Sequence, residues 1–276
     1  MKKLLWLVSC LVWIINAQAQ LKTPAPSPTQ TVKQDFGLGS IEINYSRPAV
    51  KGRKVFGDLV PFGSIWRTGA NNATTLQFSD DVNIGGVTLA PGKYGLLSIP
   101  DKDNWTIIIS KQTDVTGASA YKQDMDLVRV SAPVEKLKEG VENFTIAVDN
   151  IKPNSCQLSL SWDKTKVSFP ISTDIDSKIM SNIAKVMQGE KPPYYNAAMY
   201  YMDNGKDLNQ ALTWFNKAVE LTPNAYWVQH QRANCLAKLG KTAEARAAAE
   251  KSKELALAAK NMDYVKLNEK LLADLK

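Results

Sequence analysis

The sequence predicts a two-domain chain, an antiparallel all-β sandwich or barrel-like domain followed by an all-α helical domain. Three observations carry this. Residues 31–172 hold short runs in which apolar and polar residues alternate, with turn residues between them and no helical stretch. From residue 173 to the end the apolar spacing becomes helical. The helical part also repeats itself at a period of 34 residues, the interval from Ala211 to Ala245.

Ahead of both domains, residues 1–19 read as a cleavable signal peptide. Lys2 and Lys3 supply the positive end, residues 4–15 are almost wholly apolar, and Ala17 and Ala19 provide the small residues a signal peptidase accepts. The apolar run is short for a bilayer span, which needs about 20 residues. Cleavage is expected between Ala19 and Gln20, giving a periplasmic or extracellular protein with no transmembrane span in the mature chain. A second processing route is open, because residues 7–10 (Leu-Val-Ser-Cys) resemble a lipobox that would lipidate Cys10. Against it, Cys10 lies inside the apolar run rather than after it. Residues 20–30 follow as a linker, since Pro24, Pro26 and Pro28 oppose both helix and sheet ladder.

In the β part, Ile41, Ile43 and Tyr45 alternate with polar neighbours, as do Leu76 with Phe78, Phe144 with Ile146 and Val148, and Cys156 with Leu158, Leu160 and Trp162. Residues 105–109 (Trp-Thr-Ile-Ile-Ile) are more continuously apolar and are expected at the centre of a sheet. The turns fall at residues 79–81, 85–86, 91–92, 100–103 and 150–154. Gly92 is expected at positive φ in a type II turn after Pro91. Residues 37–40 (Gly-Leu-Gly-Ser) read as a strand-entry turn, because no Gly-Lys-Ser/Thr ending and no helix follow.

The helical part opens at Thr173-Asp174, a capping pair before residues 175–187. Two units then follow, residues 194–223 and 225–257, and residues 261–275 read as a capping helix. Ala198 matches Ala233, Gly205 matches Gly240, and Ala211 with Phe215 and Ala218 leads to Pro223. Small residues where paired helices touch, Gly at the turn and Pro at the end resemble tetratricopeptide repeats, which implies a possible protein partner through the repeats. The second unit has Leu257 where the terminal Pro would fall.

The densest polar sequence is residues 45–74. It contains Tyr45-Ser46-Arg47-Pro48, Gly52-Arg53 and Trp66-Arg67-Thr68-Gly69-Ala70-Asn71, and Pro91-Gly92-Lys93-Tyr94 follows. These segments in this order, with Asn104-Trp105-Thr106, resemble the bacterial envelope family catalogued as domain of unknown function 2911 over residues 35–171. The resemblance implies the β-plus-repeat architecture, export and a source in Bacteroidota, and it implies no chemistry, since that family has no established activity.

Read from the residues themselves, Arg47, Arg53 and Arg67 supply rigid forks suited to carboxylate, phosphate or sulfate. Tyr45, Trp66 and Tyr94 supply aromatic surface, and Thr68 and Asn71 supply short polar contacts. Together they are the candidate site for an anionic or carbohydrate ligand. The other reading is that the arginines tie loops together, pairing with Asp35, Asp58 or Asp81 or with loop carbonyls, while Trp66 fills the core.

Other chemistries are weakly served. His230 is the only histidine and lies in the repeats, where it reads as a surface residue, so the β part has no His-based triad. No Cys or His cluster has metal-ligand spacing, and no cofactor is implied. The adjacent acids Asp80-Asp81, Asp101 with Asp103 and Asp124 with Asp126 read as solvated turns rather than catalytic pairs. Cys156 and Cys235 fall in different domains and read as buried thiols, a disulfide being the alternative. Loss of the leader lowers the formal charge from +7 to +5, and the remaining basic residues are interspersed with acids, as in residues 136–142, which argues against nucleic acid. The reading is an exported, non-catalytic binding or assembly module. The alternative is an enzyme or small-molecule binder acting on an anionic or carbohydrate ligand through the arginines.

Overall fold

The computed structural model describes residues 23–275, so the leader, its cleavage site and Cys10 lie outside the described residues. The chain divides into two compact units, which meet in sequence between Ile175 and Asp176.

The first unit is a nine-stranded antiparallel sheet: β1 (Thr29–Phe36), β2 (Gly39–Ser46), β3 (Thr75–Phe78), β4 (Val82–Ile84), β5 (Val87–Leu89), β6 (Gly92–Ile99), β7 (Asn104–Ser110), β8 (Asp126–Lys152) and β9 (Ser155–Ser172). Their order is β1-β2-β3-β6-β7-β8-β9-β4-β5. β8 is 27 residues long and serves two partners. Its first part pairs with β7 (Ile107 opposite Val130), and its second part pairs with β9 (Ile146 opposite Leu160).

The sheet curls onto itself. Three strands separate β2 from β8 in the order, yet the Tyr45 hydroxyl on β2 accepts from the Ile146 N–H of β8 at 3.0 Å. Ala49 bridges Asn143 just beyond the end of β2. The inward faces therefore enclose one core that includes Ile41, Ile43, Leu76, Trp105, Phe144 and Trp162. β7 is central in the strand order and buried on both faces, which its continuous apolar run anticipates. Ile107 and Ile109 join the main core, while Ile108 meets Leu97 and Val115 on the other side.

Two local readings change and a third gains detail. β1 starts at Thr29, inside the stretch assigned to the linker. Pro28 is already tied in, because its carbonyl, which every proline retains, accepts from the Arg47 N–H at 2.9 Å. Gly92 does not have positive φ but opens β6 opposite Phe78, so Pro91 ends a loop without a type II turn. The charged residues 136–142, whose mixed charge reads as solvated surface, form part of β8. The alternation there is hidden because the register shifts between Lys136 and Val141 and again before Thr145. On β9 the matching irregularity is Asp163, with φ +51. It moves the inward positions from Trp162 to Thr165 and Val167, so both halves of β9 face the core.

The second unit is all-α. α1 (Ile175–Val186) leads to two helix pairs, α2 (Tyr194–Asp203) with α3 (Leu208–Leu221) and α4 (Tyr226–Lys238) with α5 (Thr242–Ala258), and then α6 (Met262–Asp274). Ala198, Ala211, Ala233, Ala245 and Ala249 are all fully buried, so the helices touch through side chains too small to hold them apart. Gly205 (φ +66) and Gly240 (φ +73) each end a first helix of a pair. The next residue's N–H reaches back to the third-last helical carbonyl, Lys206 to Tyr201 and Lys241 to Leu236. This left-handed ending favours Gly and is why the repeat glycines stand where they do.

His230 is buried rather than on the surface. Its Nδ1 lies 2.8 Å from Asn268 Oδ1. Asn268 Nδ2 donates to Ser252 Oγ and the Tyr264 carbonyl, so its oxygen is the acceptor and His230 Nδ1 the donor. Ser252 in turn donates to the Tyr226 carbonyl. A polar layer with its bonds satisfied thus joins α4, α5 and α6. Among the described residues no helix is long and apolar enough to cross a membrane.

Candidate functional site

The polar residues nominated by the sequence do not share one environment. Tyr45 is 1 % exposed, and its hydroxyl donates to Gln30 Oε1 at 2.9 Å while bridging to β8. Arg47 is consumed by β8, with Nε on the Phe144 carbonyl at 3.0 Å and Nη2 on Thr145 Oγ1 at 2.7 Å. Thr68 is fully buried at φ +55 and bonds Ser98 Oγ at 2.9 Å. Asn71 Nδ2 donates to the Ser27 carbonyl at 3.0 Å and so holds the described end of the proline stretch. Tyr94 donates to the Ala90 carbonyl at 2.7 Å, closing the turn before β6. None of these five lines the cleft described next.

Arg53, Trp66 and Arg67 do come together. They line an open cleft of about 250 Å³ with Pro48, Leu59, Val60 and Trp162, and Ser27, Gly69 and Ala70 complete its wall. Trp66 is 8 % exposed and stacks on Trp162 at 5.9 Å with the rings 17° apart. The two indole N–H groups donate to the carbonyls of Gly69 and Glu142. The tryptophans are therefore the cleft's apolar floor and offer it no hydrogen-bond donor. Gly69, with φ +156 and no room for a Cβ between Thr74 Oγ1 and the Ser46 carbonyl, lets the chain turn directly after Arg67.

The two guanidiniums differ. Arg53 spends Nε on the Val50 carbonyl and Nη2 on the Ala49 carbonyl, which fixes its fork against its own loop. Arg67 Nε is fully buried and has no partner among the described residues. Leaving a buried donor unmade costs about 1–3 kcal/mol, more for a charged group. No carboxylate lines the cleft, so the two positive charges have no counter-charge in its wall. The paired acids lie elsewhere. Asp80 and Asp101 cap their own turns, and Asp126 binds Arg129 at 2.8 Å and the Tyr121 hydroxyl at 2.5 Å. Burial, with the neighbouring Asp126 carboxylate, pushes the Tyr121 phenol up.

No group of three or more His, Cys, Asp or Glu that could hold a metal occurs among the described residues. Cys156 and Cys235 are free and buried in separate units, and burial pushes the Cys156 thiol up to about 11, which makes it a poor nucleophile.

The helical unit carries its own concavity, of about 260 Å³. Pro192, Pro193 and Tyr194 lie on one side, and Leu221, Trp227 and Val228 on the other. A second hollow of about 310 Å³ around Pro223 and Asn224 shares Thr222 and Trp227 with it. Trp227 is 42 % exposed and Leu221 68 %, unusual exposure for large apolar side chains standing together. Sequence periodicity does not single out Trp227, because it does not separate an exposed tryptophan from a packed one.

A family model described as Protein of unknown function (DUF2911) matches residues 27–171, slightly more than half of the chain. The chain belongs to this family. In this member the matched region ends with the inward residue Ile171 of β9, and every residue of the arginine cleft lies within it. A tetratricopeptide-repeat model matches residues 192–225, which covers α2, α3 and the lining of the first helical hollow except Trp227 and Val228. No curated protein and no solved structure matches the chain.

Proposed function

We propose that this family member is an exported, non-catalytic binding protein whose helical unit takes hold of an extended segment of a partner protein in the cell envelope. The observation that carries the reading is the pair of hollows on either side of Trp227, within and next to the tetratricopeptide match. Their walls are mostly apolar side chains and prolines, with Asn196, Thr222 and Asn224 as uncharged polar members, which favours a partner segment presenting an apolar residue rather than a charged one. Export rests on the lysine pair, the apolar run and Ala17 with Ala19 at the N-terminus. The described lining of the arginine cleft supplies guanidiniums and apolar surface, which suits holding a ligand.

The test is site-specific crosslinking in cells. A photo-crosslinking residue at position 227 of the full chain is expected to trap one envelope protein, and the same residue at position 33, on the exposed strand β1, is expected not to. Trp227→Ala with Leu221→Asp should abolish pull-down of that partner. Crosslinks only to the protein itself, or equal yields at the two positions, refute the reading. Export is checked by intact mass of the protein from cells, which should begin at Gln20. A lipid-modified Cys10 would place it on a membrane instead.

A further inference from the structure

We propose that the β unit holds a small organic carboxylate in the cleft between Arg53 and Arg67, a site independent of the helical hollows. Three observations support a ligand there. Arg67 Nε is buried without a partner among the described residues, so the fold maintains an unfilled donor. No acidic side chain lines the cleft to neutralise the two guanidiniums. The backbone N–H groups of Gly69 and Ala70, in the same wall, also donate to no acceptor among the described residues. A purely structural arginine is expected to look like Arg47, with its donors on carbonyl and hydroxyl oxygens.

The rest of the wall selects the class. Pro48, Leu59, Val60, Trp66 and Trp162 give the cleft apolar surface as well as charge. Inorganic phosphate has nothing to place there, whereas a carboxylate carries a carbon chain that does. A sugar ring is disfavoured. Trp66 and Trp162 are both more than nine-tenths buried and spend one face on each other, so little ring surface is left for a sugar to stack on, and both indole N–H groups are already bonded. The planar guanidinium fork of Arg67 matches a carboxylate in two parallel hydrogen bonds, and Arg53, whose Nε and Nη2 are held by its own loop, adds a second positive charge to the same wall.

The experiment titrates the full chain with butyrate, acetate and inorganic phosphate at constant ionic strength, read by calorimetry and by the fluorescence of the cleft tryptophans. Butyrate is expected to bind several-fold more tightly than acetate, and phosphate not to compete with it. Arg67→Gln should weaken butyrate at least tenfold without loss of the folded state, since Arg67 Nε has no partner among the described residues to forfeit. Arg67→Lys, which keeps the charge and loses the fork, should fall between the two. Arg53→Gln repeats the test on a second residue should the first variant misfold. Binding of phosphate in preference to butyrate, equal butyrate affinity in Arg67→Gln, or no binding by any of the three overturns the proposal. None of these results bears on crosslinking at position 227, so the two proposals fail separately.

Discussion

The β unit and the helical unit solve the same burial problem with opposite side chains. The β unit fills its interior with bulk. Trp66, Trp105, Trp162, Phe56 and Phe144 meet at centroid distances of 4.8–6.1 Å, mostly edge to face. The helical unit does it with absence: six alanines at zero exposure allow close helix contact, and a polar layer around His230 and Asn268 fixes the register. Bulk tolerates loss badly, and close contact tolerates gain badly. Substitutions of opposite kind should therefore injure the two units.

The largest effect is expected from Trp162→Ala. The side chain is 2 % exposed and touches three other rings, so its loss leaves a cavity worth about 3–5 kcal/mol, measured by denaturant unfolding. Trp105→Phe separates volume from polarity in the same cluster. Trp105 Nε1 is buried and has no partner, so this change should cost much less than the alanine at 162. In the helical unit the sensitive direction is reversed. Ala249→Leu adds bulk at a fully buried helix contact and should cost about 1–3 kcal/mol, although it adds apolar surface. Equal tolerance of added bulk in both units would break the comparison.

Asn268→Leu tests the polar layer. It leaves His230 Nδ1 and Ser252 Oγ without their partner in a buried place, at a cost of about 1–3 kcal/mol. Its counterpart is Tyr45→Phe, which strips the Ile146 N–H of its acceptor across the β core and should cost a similar amount. If only the Asn268 change hurts, polar bonds matter in the helical unit and aromatic bulk alone suffices in the other.

These contrasts also explain what could be read in advance. Regular alternation at Ile41, Ile43 and Tyr45 and the continuous apolar run of β7 are local patterns, and they placed those strands. Gly205 and Gly240 are legible because a left-handed helix ending needs them. β8 was recognised only near Phe144, since its register shifts break the alternation that would mark it. The candidate site was less legible for a different reason. Arg47, Arg53 and Arg67 are near one another in sequence, but the fate of each depends on what the sheet brings opposite. Arg47 meets a strand 97 residues away, and Arg67 Nε finds no partner among the described residues. His230 was misplaced likewise, because its partner Asn268 comes from the terminal helix. No local pattern encodes a long-range partner.

A smaller effect is expected where α5 ends. Lys260 occupies the position that Gly205 and Gly240 hold in the other helices, with φ +57 and the same back-bond, from Asn261 N–H to the Ala256 carbonyl. A left-handed backbone strains a residue with a Cβ by about 1–2 kcal/mol, and Gly loses more chain entropy on folding. Lys260→Gly should therefore stabilise the helical unit by at most about 1 kcal/mol, while Gly205→Ala destabilises it. A loss of stability in Lys260→Gly would mean that the lysine side chain contributes more than the strain removes.

The smallest effect concerns the exposed anchor of α1. The side chain of Asp176 accepts from Lys206 Nζ at 2.7 Å and from the Tyr200 hydroxyl at 2.7 Å, and these bonds, Lys206 first, hold its carboxyl below the ordinary value. A carboxyl depressed in the folded state stabilises above its unfolded pKa of about 3.9, and the contribution disappears as pH falls through the folded value. The difference in stability between the natural chain and Asp176→Asn should then be constant from neutral pH down to about 5 and close only below about 4. Solvent reaches this pair, so the constant difference should be the least of those named here. The buried polar layer predicts otherwise for Asn268→Leu, because neither Asn nor Leu titrates and its cost should persist through the same acid range. Parallel acid profiles for the two variants would show that the helical unit does not distinguish an exposed tether from a buried one.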